Sequence, residues 1–242
     1  MEHKKRVDVV QYSAAEPSPG CKGDGSDMEC LDTALRQVLA SVPISPSPPG
    51  KRVLDLLLSS IGLIASLPLW FLIAVAIKAE DRGPVFYRQK RVGLRGETFD
   101  VMKFRSMVQG AEGNTGPVWA LTHDQRITKV GRLLRATAMD ELPQLLNIFN
   151  GTMSFVGPRP ERPEFVTQFL KNVRFYHRRF ALKPGLTGLA QIYGRYNTPP
   201  HQKLRYDLLY ARHAGIWFDF RLIALSFWIS FRGSWSKQVR KW

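Results

Sequence analysis

Cysteine is almost missing from this 242-residue chain. Cys21 and Cys30 are the two, and both lie in the first fifty residues. Two cysteines build no disulfide framework, and such sparing use fits a reducing compartment. Acid is scarce as well: 20 Asp and Glu face 35 Lys and Arg, a formal net charge of +15. The shortage is uneven. Residues 1–50 hold five basic and seven acidic residues, which leaves 30 basic against 13 acidic, net +17, in the remainder. A field of that sign calls for an anionic partner: nucleic acid, an anionic membrane surface or a phosphorylated substrate. No nucleic-acid motif is found, and the basic residues are scattered among apolar ones, so nucleic acid is not expected. A basic membrane-anchored binding module is the competing class, and steeply salt-dependent nucleic-acid binding would distinguish it. Long apolar runs are scarce too. The one that occurs, residues 53–77, starts fifty residues in without a clear cleavage site, which excludes a cleaved signal peptide.

Residues 1–50 read as a poorly ordered extension, dense in Pro, Ser and Gly, with a short helix over 31–39. The apolar run after it is long enough to cross a bilayer as a helix, since about 20 residues suffice. A single crossing is the default reading. Two features favour a re-entrant helix–break–helix instead. Basic residues flank both ends (Lys51, Arg52; Lys78, Arg82), so charge sets no direction. Pro68, two residues after Ser66, sits mid-run, where it breaks or kinks a helix. Each arm would then be too short to cross, with the freed carbonyls near 64–65 satisfied by Ser66 or by protein. At the other end, 222–229 is apolar but short, and four of the six tryptophans (Trp217, Trp228, Trp235, Trp242) crowd the last 26 residues. Tryptophan mixed with Arg and Lys predicts a helix lying on the headgroups. The expected fold is α+β and mostly helical: a membrane segment over 51–82, then a domain over 83–242 with a β-hairpin and interfacial helices.

Residues 84–108 predict the hairpin, turning at Gly93-Leu94-Arg95-Gly96. Lys103 and Arg105 share one face of its second strand. They are either a solvated edge or a pair that binds phosphate. A glycine-rich loop over 109–122, with His123 after it, leads to a basic helix over 124–135, capped by Asp124 and closed by Arg135. Next comes Ala138-Met139-Asp140-Glu141-Leu142-Pro143-Gln144. Proline is tolerated only in a helix's first turn, so a helix begins near 140–142 with both carboxylates at its positive end. Asp140 is then a cap, or an acid within a basic field that has work to do on a phosphate substrate. Pro158 and Pro160 bracket Arg159 and fix its backbone; the arrangement is either a turn with an exposed arginine or a rigid phosphate contact. A helix is expected over 161–180, a tight loop at 183–188, and a helix over 200–213 carrying Asp207 and Tyr210.

Four motifs in this order and spacing resemble one family: Lys103-Phe104-Arg105-Ser106-Met107, Asp140-Glu141-Leu142-Pro143-Gln144, Gly157-Pro158-Arg159-Pro160 and Pro184-Gly185-Leu186-Thr187-Gly188. The chain from about residue 50 onward is similar to the bacterial sugar transferases, monotopic polyprenyl-phosphate phosphoglycosyltransferases. It resembles their minimal form, without the extra transmembrane helices of larger relatives. The resemblance implies a re-entrant helix broken at the Ser66/Pro68 position, where many relatives have Ser-Pro directly, at the cytoplasmic face of the bacterial inner membrane, and it makes the domain over 83–242 cytoplasmic and catalytic. It implies that Asp140 is a nucleophile toward a nucleotide diphosphate sugar, usually a UDP-sugar. UMP would leave, and the sugar phosphate held on Asp140 would pass to polyprenyl (undecaprenyl) phosphate. That is the first membrane step of exopolysaccharide, O-antigen or glycoconjugate assembly. Glu141 would help hold Mg²⁺. Lys103, Arg135 and Arg159 align with the family's cationic network; Arg105, Gln191 and Arg195 are set with them as substrate contacts. Membrane lipids are expected partners. The sugar, and whether the protein forms a homo-oligomer, are not encoded in anything legible here.

Overall fold

The computed structural model describes residues 47–112, 124–194 and 198–231. The chain from its first described residue folds around one long helix, α1 (Lys51–Asp81). Gly50 enters it in the left-handed region (φ 78) and Arg82 leaves it in the same region (φ 54), donating its N–H to Lys78 O. Pro68 lies inside the helix and does not end it. This corrects the expected break into two arms. Ser66 Oγ donates to Gly62 O at 2.6 Å and Leu63 O at 3.3 Å, the two carbonyls just before those expected to need it. A hydroxyl returning to the carbonyl four residues back satisfies itself without interrupting the ladder.

The inner face of α1 carries the fold. Its buried positions Lys51, Asp55, Ser59, Ile73 and Ile77 follow helical spacing. Near the N-terminus that face is polar. Lys51 Nζ donates to Val156 O (3.1 Å) and Tyr210 OH (3.0 Å) and pairs closely with Asp219. Asp55 Oδ1 accepts from Ser154 Oγ (3.1 Å) and Phe155 N–H (3.0 Å). Toward the C-terminus it is apolar. Trp70 meets Phe86 and Phe104, with ring centres 5.9 and 5.4 Å apart. Ile73 and Ile77 join Phe104 and Leu134 in one cluster. Glu80 then accepts from the N–H groups of Lys129 (2.6 Å) and Val130 (2.9 Å), and Asp81 pairs with Arg105. Both ends of α1 therefore rest on the same body. The opposite face, with Val53, Leu57, Ile61, Ile64, Leu67, Phe71, Leu72 and Val75, is exposed and apolar.

The hairpin forms as expected: β1 (Phe86–Val92) pairs antiparallel with β2 (Thr98–Phe104), Tyr87 opposite Lys103 and Arg91 opposite Phe99. The basic helix α2 (Lys129–Ala136) starts later than predicted. Thr128, not Asp124, caps it, accepting from Gly131 N–H at 2.9 Å, while Asp124 pairs with Arg126. Helix α3 (Gln144–Phe149) follows, and then β3 (Ser154–Val156). The helix expected over 161–180 is two pieces. α4 (Pro163–Asn172) ends, Phe175 turns through the left-handed region (φ 63), and a 3₁₀ turn covers Tyr176–Ala181. The predicted loop at 183–188 contains a strand, β4 (Gly185–Thr187), parallel to β3. An added Cβ at Gly185 would lie 2.1 Å from Gly157 N, so only two glycines allow this approach. Helices α5 (Leu189–Tyr193), α6 (Pro200–His213) and α7 (Ile216–Phe231) complete the described residues. The core joins α3, β3, α5, α6 and α7 through Leu145, Ile148, Met153, Phe155, Ile192 and Tyr210, among others. Trp217, Phe220, Phe227 and Trp228 of α7 are exposed; Trp235 and Trp242 lie outside the described residues. The fold is α+β and mostly helical, with one long apolar helix and a small hairpin.

Candidate active site

The acidic pair is placed by a kink rather than by a helix start. Ala138 sits in the left-handed region (φ 57), unusual for a residue with a Cβ. A 3₁₀ turn over Met139–Glu141 follows, and α3 begins only at Gln144. No side chain caps either element, so Asp140 is not the cap it resembles in sequence. Met139 and Leu142, on either side of the pair, pack against the cluster that Ile73 and Ile77 of α1 form with Phe104 and Leu134. The pair thus sits on the inner side of the apolar helix.

The two carboxylates are treated differently. Glu141 Oε1 receives Lys103 Nζ at 2.6 Å and Arg159 Nη2 at 2.5 Å, and Oε2 receives Arg159 Nη1 at 3.3 Å. Burial alone would raise its pKa, but Arg159 and Lys103 outweigh that and hold it well below the usual carboxylate range. Asp140 is only 9% exposed, and no side chain among the described residues hydrogen-bonds its carboxylate. Burial pushes its pKa up to about 6, against the opposing pull of Lys103, Arg135 and Arg159. One carboxylate is fixed and ionised; its neighbour is buried, poised and uncommitted.

The sequence-predicted residues divide. Lys103 and Arg159 meet at Glu141. Arg135, the last basic residue of α2, acts on Asp140 by charge alone. Arg105 leaves this cluster: it pairs with Asp81, the last residue of α1, and its Nη1 is buried without a hydrogen-bond partner among the described residues. The shared strand face breaks down because Arg105 lies past the end of β2. Gln191 donates to Leu186 O at 3.3 Å from α5, and its Oε1 is buried without a hydrogen-bond partner among the described residues. Arg195 and His123 lie outside the described residues. Ser66 and Pro68 belong to α1. Sequence reasoning missed Arg91, on the hairpin face that carries Lys103. Its Nη1 donates to Pro160 O at 3.1 Å, and burial together with the neighbouring Arg159 lowers its pKa to about 10. The alternation of the strand could have found it. Arg179, which donates to Arg159 O at 2.7 Å, had no signal beyond being one of many arginines.

Residues 47–233 match the model of a family described as bacterial sugar transferase. The chain belongs to the bacterial sugar transferase family. It is 43% identical to the UDP-glucose:undecaprenyl-phosphate glucose-1-phosphate transferase of Klebsiella pneumoniae over 73% of its length and 39% of that protein. It is 38% identical to the UDP-N-acetylgalactosamine-undecaprenyl-phosphate N-acetylgalactosaminephosphotransferase of Aeromonas hydrophila, over 72% of the chain and 41% of the relative. To the exopolysaccharide production protein ExoY of Sinorhizobium fredii it is 36% identical, over 72% of the chain and 82% of the relative. The chain thus spans about two fifths of the first two relatives. Their names carry different sugars at similar identity, so overall likeness does not select a donor.

The donor atoms of this sugar transferase suit a hard divalent cation. Among the described residues no group of three or more His, Cys, Asp or Glu could hold a metal alone. Magnesium takes one or two carboxylates and fills the rest of its shell with phosphate oxygens and water. Adjacent Asp140 and Glu141, one of them without a hydrogen-bond partner among the described residues, fit that demand.

Proposed function

We propose that this chain transfers a sugar 1-phosphate from a nucleotide diphosphate sugar, a UDP-sugar, to polyprenyl (undecaprenyl) phosphate and releases UMP. The observation that carries the reading is the buried, uncommitted Asp140 carboxylate. It lies beside a Glu141 fixed by two cations, against a helix whose outer face is apolar. The relatives' names, which join a UDP-sugar to undecaprenyl phosphate, support the same chemistry.

In the first half-reaction Asp140 attacks the phosphorus next to the sugar. A carboxylate O–P bond forms, the bond to the UMP phosphate breaks, and the electron pair leaves on UMP. In the second, a phosphate oxygen of the polyprenyl acceptor attacks the same phosphorus and the carboxylate is restored. Splitting the displacement lets a water-soluble donor and a lipid acceptor use one site in turn, with ping-pong kinetics. Phosphoryl transfer asks for positioning and neutralised charge, which Lys103, Arg135 and Arg159 supply. Glu141, with Asp140 beside it, would hold Mg²⁺, which when bound neutralises charge on the diphosphate.

The same reading places α1 in one leaflet, at the cytoplasmic face of the bacterial inner membrane, with residues 83–242 as the catalytic domain and 1–50 as an extension. Support comes from packing. At about 1.5 Å per residue α1 is about 46 Å long, yet Lys51 and Asp81 bind the same body. A helix crossing the bilayer would carry its two ends to opposite sides. The helix continuing through Pro68 is compatible with this topology, because its buried positions lie toward its two ends and both rest on the same domain. The exposed aromatic residues of α7 add a second membrane-facing surface.

Screening UMP release over a panel of UDP-sugars, with undecaprenyl phosphate and Mg²⁺, tests the reaction. One donor should give UMP and a lipid-linked product, and Asp140→Ala should give neither while still partitioning to membranes. Full activity in Asp140→Ala would overturn the covalent route. Protease protection of a tag at residue 1, on the side opposite the domain, would overturn the one-leaflet topology.

A further inference from the structure

The stretch that presents Arg159 is gripped by its carbonyls. Gly185 N–H donates to Pro158 O at 2.9 Å, Arg179 Nη2 to Arg159 O at 2.7 Å, Arg91 Nη1 to Pro160 O at 3.1 Å, and Val92 N–H to Glu161 O at 2.9 Å. Four consecutive acceptors are taken by four separate donors. Prolines at 158 and 160 offer no N–H, so carbonyls are the handles this segment has at those positions. Two of the donors are guanidinium groups applied to main chain, where a strand neighbour would ordinarily serve.

Arg179 is the costlier of the two. It is 3% exposed, and so is Asp207, whose Oδ2 lies 3.1 Å from Arg179 Nε. Its Nη1 donates to Tyr176 OH, and its guanidinium lies over the Tyr176 ring, 5.1 Å from the centre. Glu161, the next acid of the stretch, is taken by Lys203 at 2.8 Å. Asp207 faces this buried cation as an ion pair, although its Oδ2 makes no hydrogen bond among the described residues; the Tyr176 phenol accepts from Nη1, and Nη2 is left to reach the Arg159 carbonyl.

We infer that Arg179, clamped by Asp207 and Tyr176, is a positioning residue for the transfer reaction: it holds the Arg159 backbone so that the Arg159 guanidinium stays on Glu141. The inference rests on the reading of Arg159 as part of the active site. Arg179 touches none of Asp140, Glu141 or Lys103 in any described contact, so it acts through Arg159. Lysine at 179 has one point donor in place of a fork and cannot serve Asp207, Tyr176 and the carbonyl together. Misplacement of a charged contact by about 1 Å can cost about 100-fold in rate.

The test is a double-mutant cycle on UMP release by the full chain in membranes. Arg179→Lys should lower kcat by about ten- to a hundredfold while the KM for the UDP-sugar moves far less. Asp207→Asn, which keeps the side-chain shape, should give a smaller loss of the same kind. In an Arg159→Lys background neither change should slow the enzyme further, because pairs acting as one unit are not additive. If Arg179→Lys fails to fold, the Asp207→Asn arm of the cycle decides alone. Losses that add to those of Arg159→Lys would overturn the inference, as would a lowered melting temperature with kcat unchanged. Wild-type kcat in Arg159→Lys itself would overturn the reading of the site and the inference with it. A slow Arg159→Lys with additive partners overturns the inference only.

Discussion

Two buried charged clusters lie on the inner side of α1, and they are built to opposite rules. In the first, Lys51 serves Asp219, Tyr210 and the Val156 carbonyl, and Tyr210 OH donates to the second Asp219 oxygen at 2.7 Å. Every charge has a partner, which is what burial demands of a structural group. In the second, Glu141 is ion-paired with Lys103 and Arg159, while Asp140 beside it has no hydrogen-bond partner among the described residues. Both clusters consist of basic and acidic residues from distant parts of the chain. They differ in one uncommitted carboxylate, and that difference separates a fastener from a site. A fully paired charge lowers the energy of one arrangement. An unpaired one is held ready for a group that arrives later.

The largest expected contrast comes from making each aspartate neutral without changing its shape. Asp140→Asn should lower UMP release by on the order of 10³-fold or more, since a nucleophile and its covalent step are lost together. It should leave the unfolding temperature at pH 8 equal or higher. The sign follows from linkage. A carboxyl whose pKa is raised on folding contributes stability below its unfolded pKa and loses it as pH rises through the folded one. At pH 8 the wild-type residue bears that penalty and asparagine does not. A loss of stability in Asp140→Asn would mean that Asp140 is a structural partner after all, and the contrast would collapse.

The fastener should fail in the other direction. Lys51→Ala strands Asp219 and should cost about 3–5 kcal/mol, the usual penalty for breaking a buried pair from one side. Activity per folded molecule should be retained. Lys51→Met combined with Asp219→Leu removes both charges and should recover much of the loss. Denaturant unfolding in detergent, read beside UMP release, checks both. A variant that stays stable but loses kcat would show that the first cluster also serves the chemistry.

What could be read from the sequence divides along the same line. The hairpin, the α6 helix and the long apolar helix were legible because each is a local periodicity. So was the acidic pair, since its motif, the prolines around Arg159 and the cations at 103 and 135 all lie in plain sequence. The structure brings Lys103 and Arg159 to Glu141 at hydrogen-bond distance. Partnerships between distant residues were not legible. Nothing in the sequence ties Lys51 to Asp219, turns Arg105 toward Asp81, or makes a parallel strand pair of 154–156 and 185–187. Those follow from how the ends of α1 and the Gly157–Gly185 approach close the fold. Pro68 shows the limit of a local rule. Proline removes one backbone donor, yet the helix continues through it with Pro68 still within α1, held by the buried positions on either side, Lys51 to Ser59 and Ile73 to Ile77.

The smallest expected effect is the most discriminating for the uncommitted carboxylate. Burial raises the Asp140 pKa to about 6, Lys103 opposes the rise, and Glu141 is held far lower. If ionised Asp140 is the nucleophile, the first half-reaction should fall about tenfold per pH unit below about pH 6 and level off above it. A UDP-sugar diphosphate is esterified at both ends and does not titrate there. Polyprenyl phosphate does, since a phosphate monoester has a second pKa near 6, so the measurement must be the UMP burst without acceptor. Lys103→Gln removes the cation that opposes burial, and the acid limb should move to higher pH. A limb near pH 4 would place Asp140 among ordinary solvated carboxylates. A limb that ignores Lys103→Gln would show that the titrating group lies elsewhere, because an uncommitted buried carboxylate has its neighbouring cation, rather than water or hydrogen bonds, to set its charge.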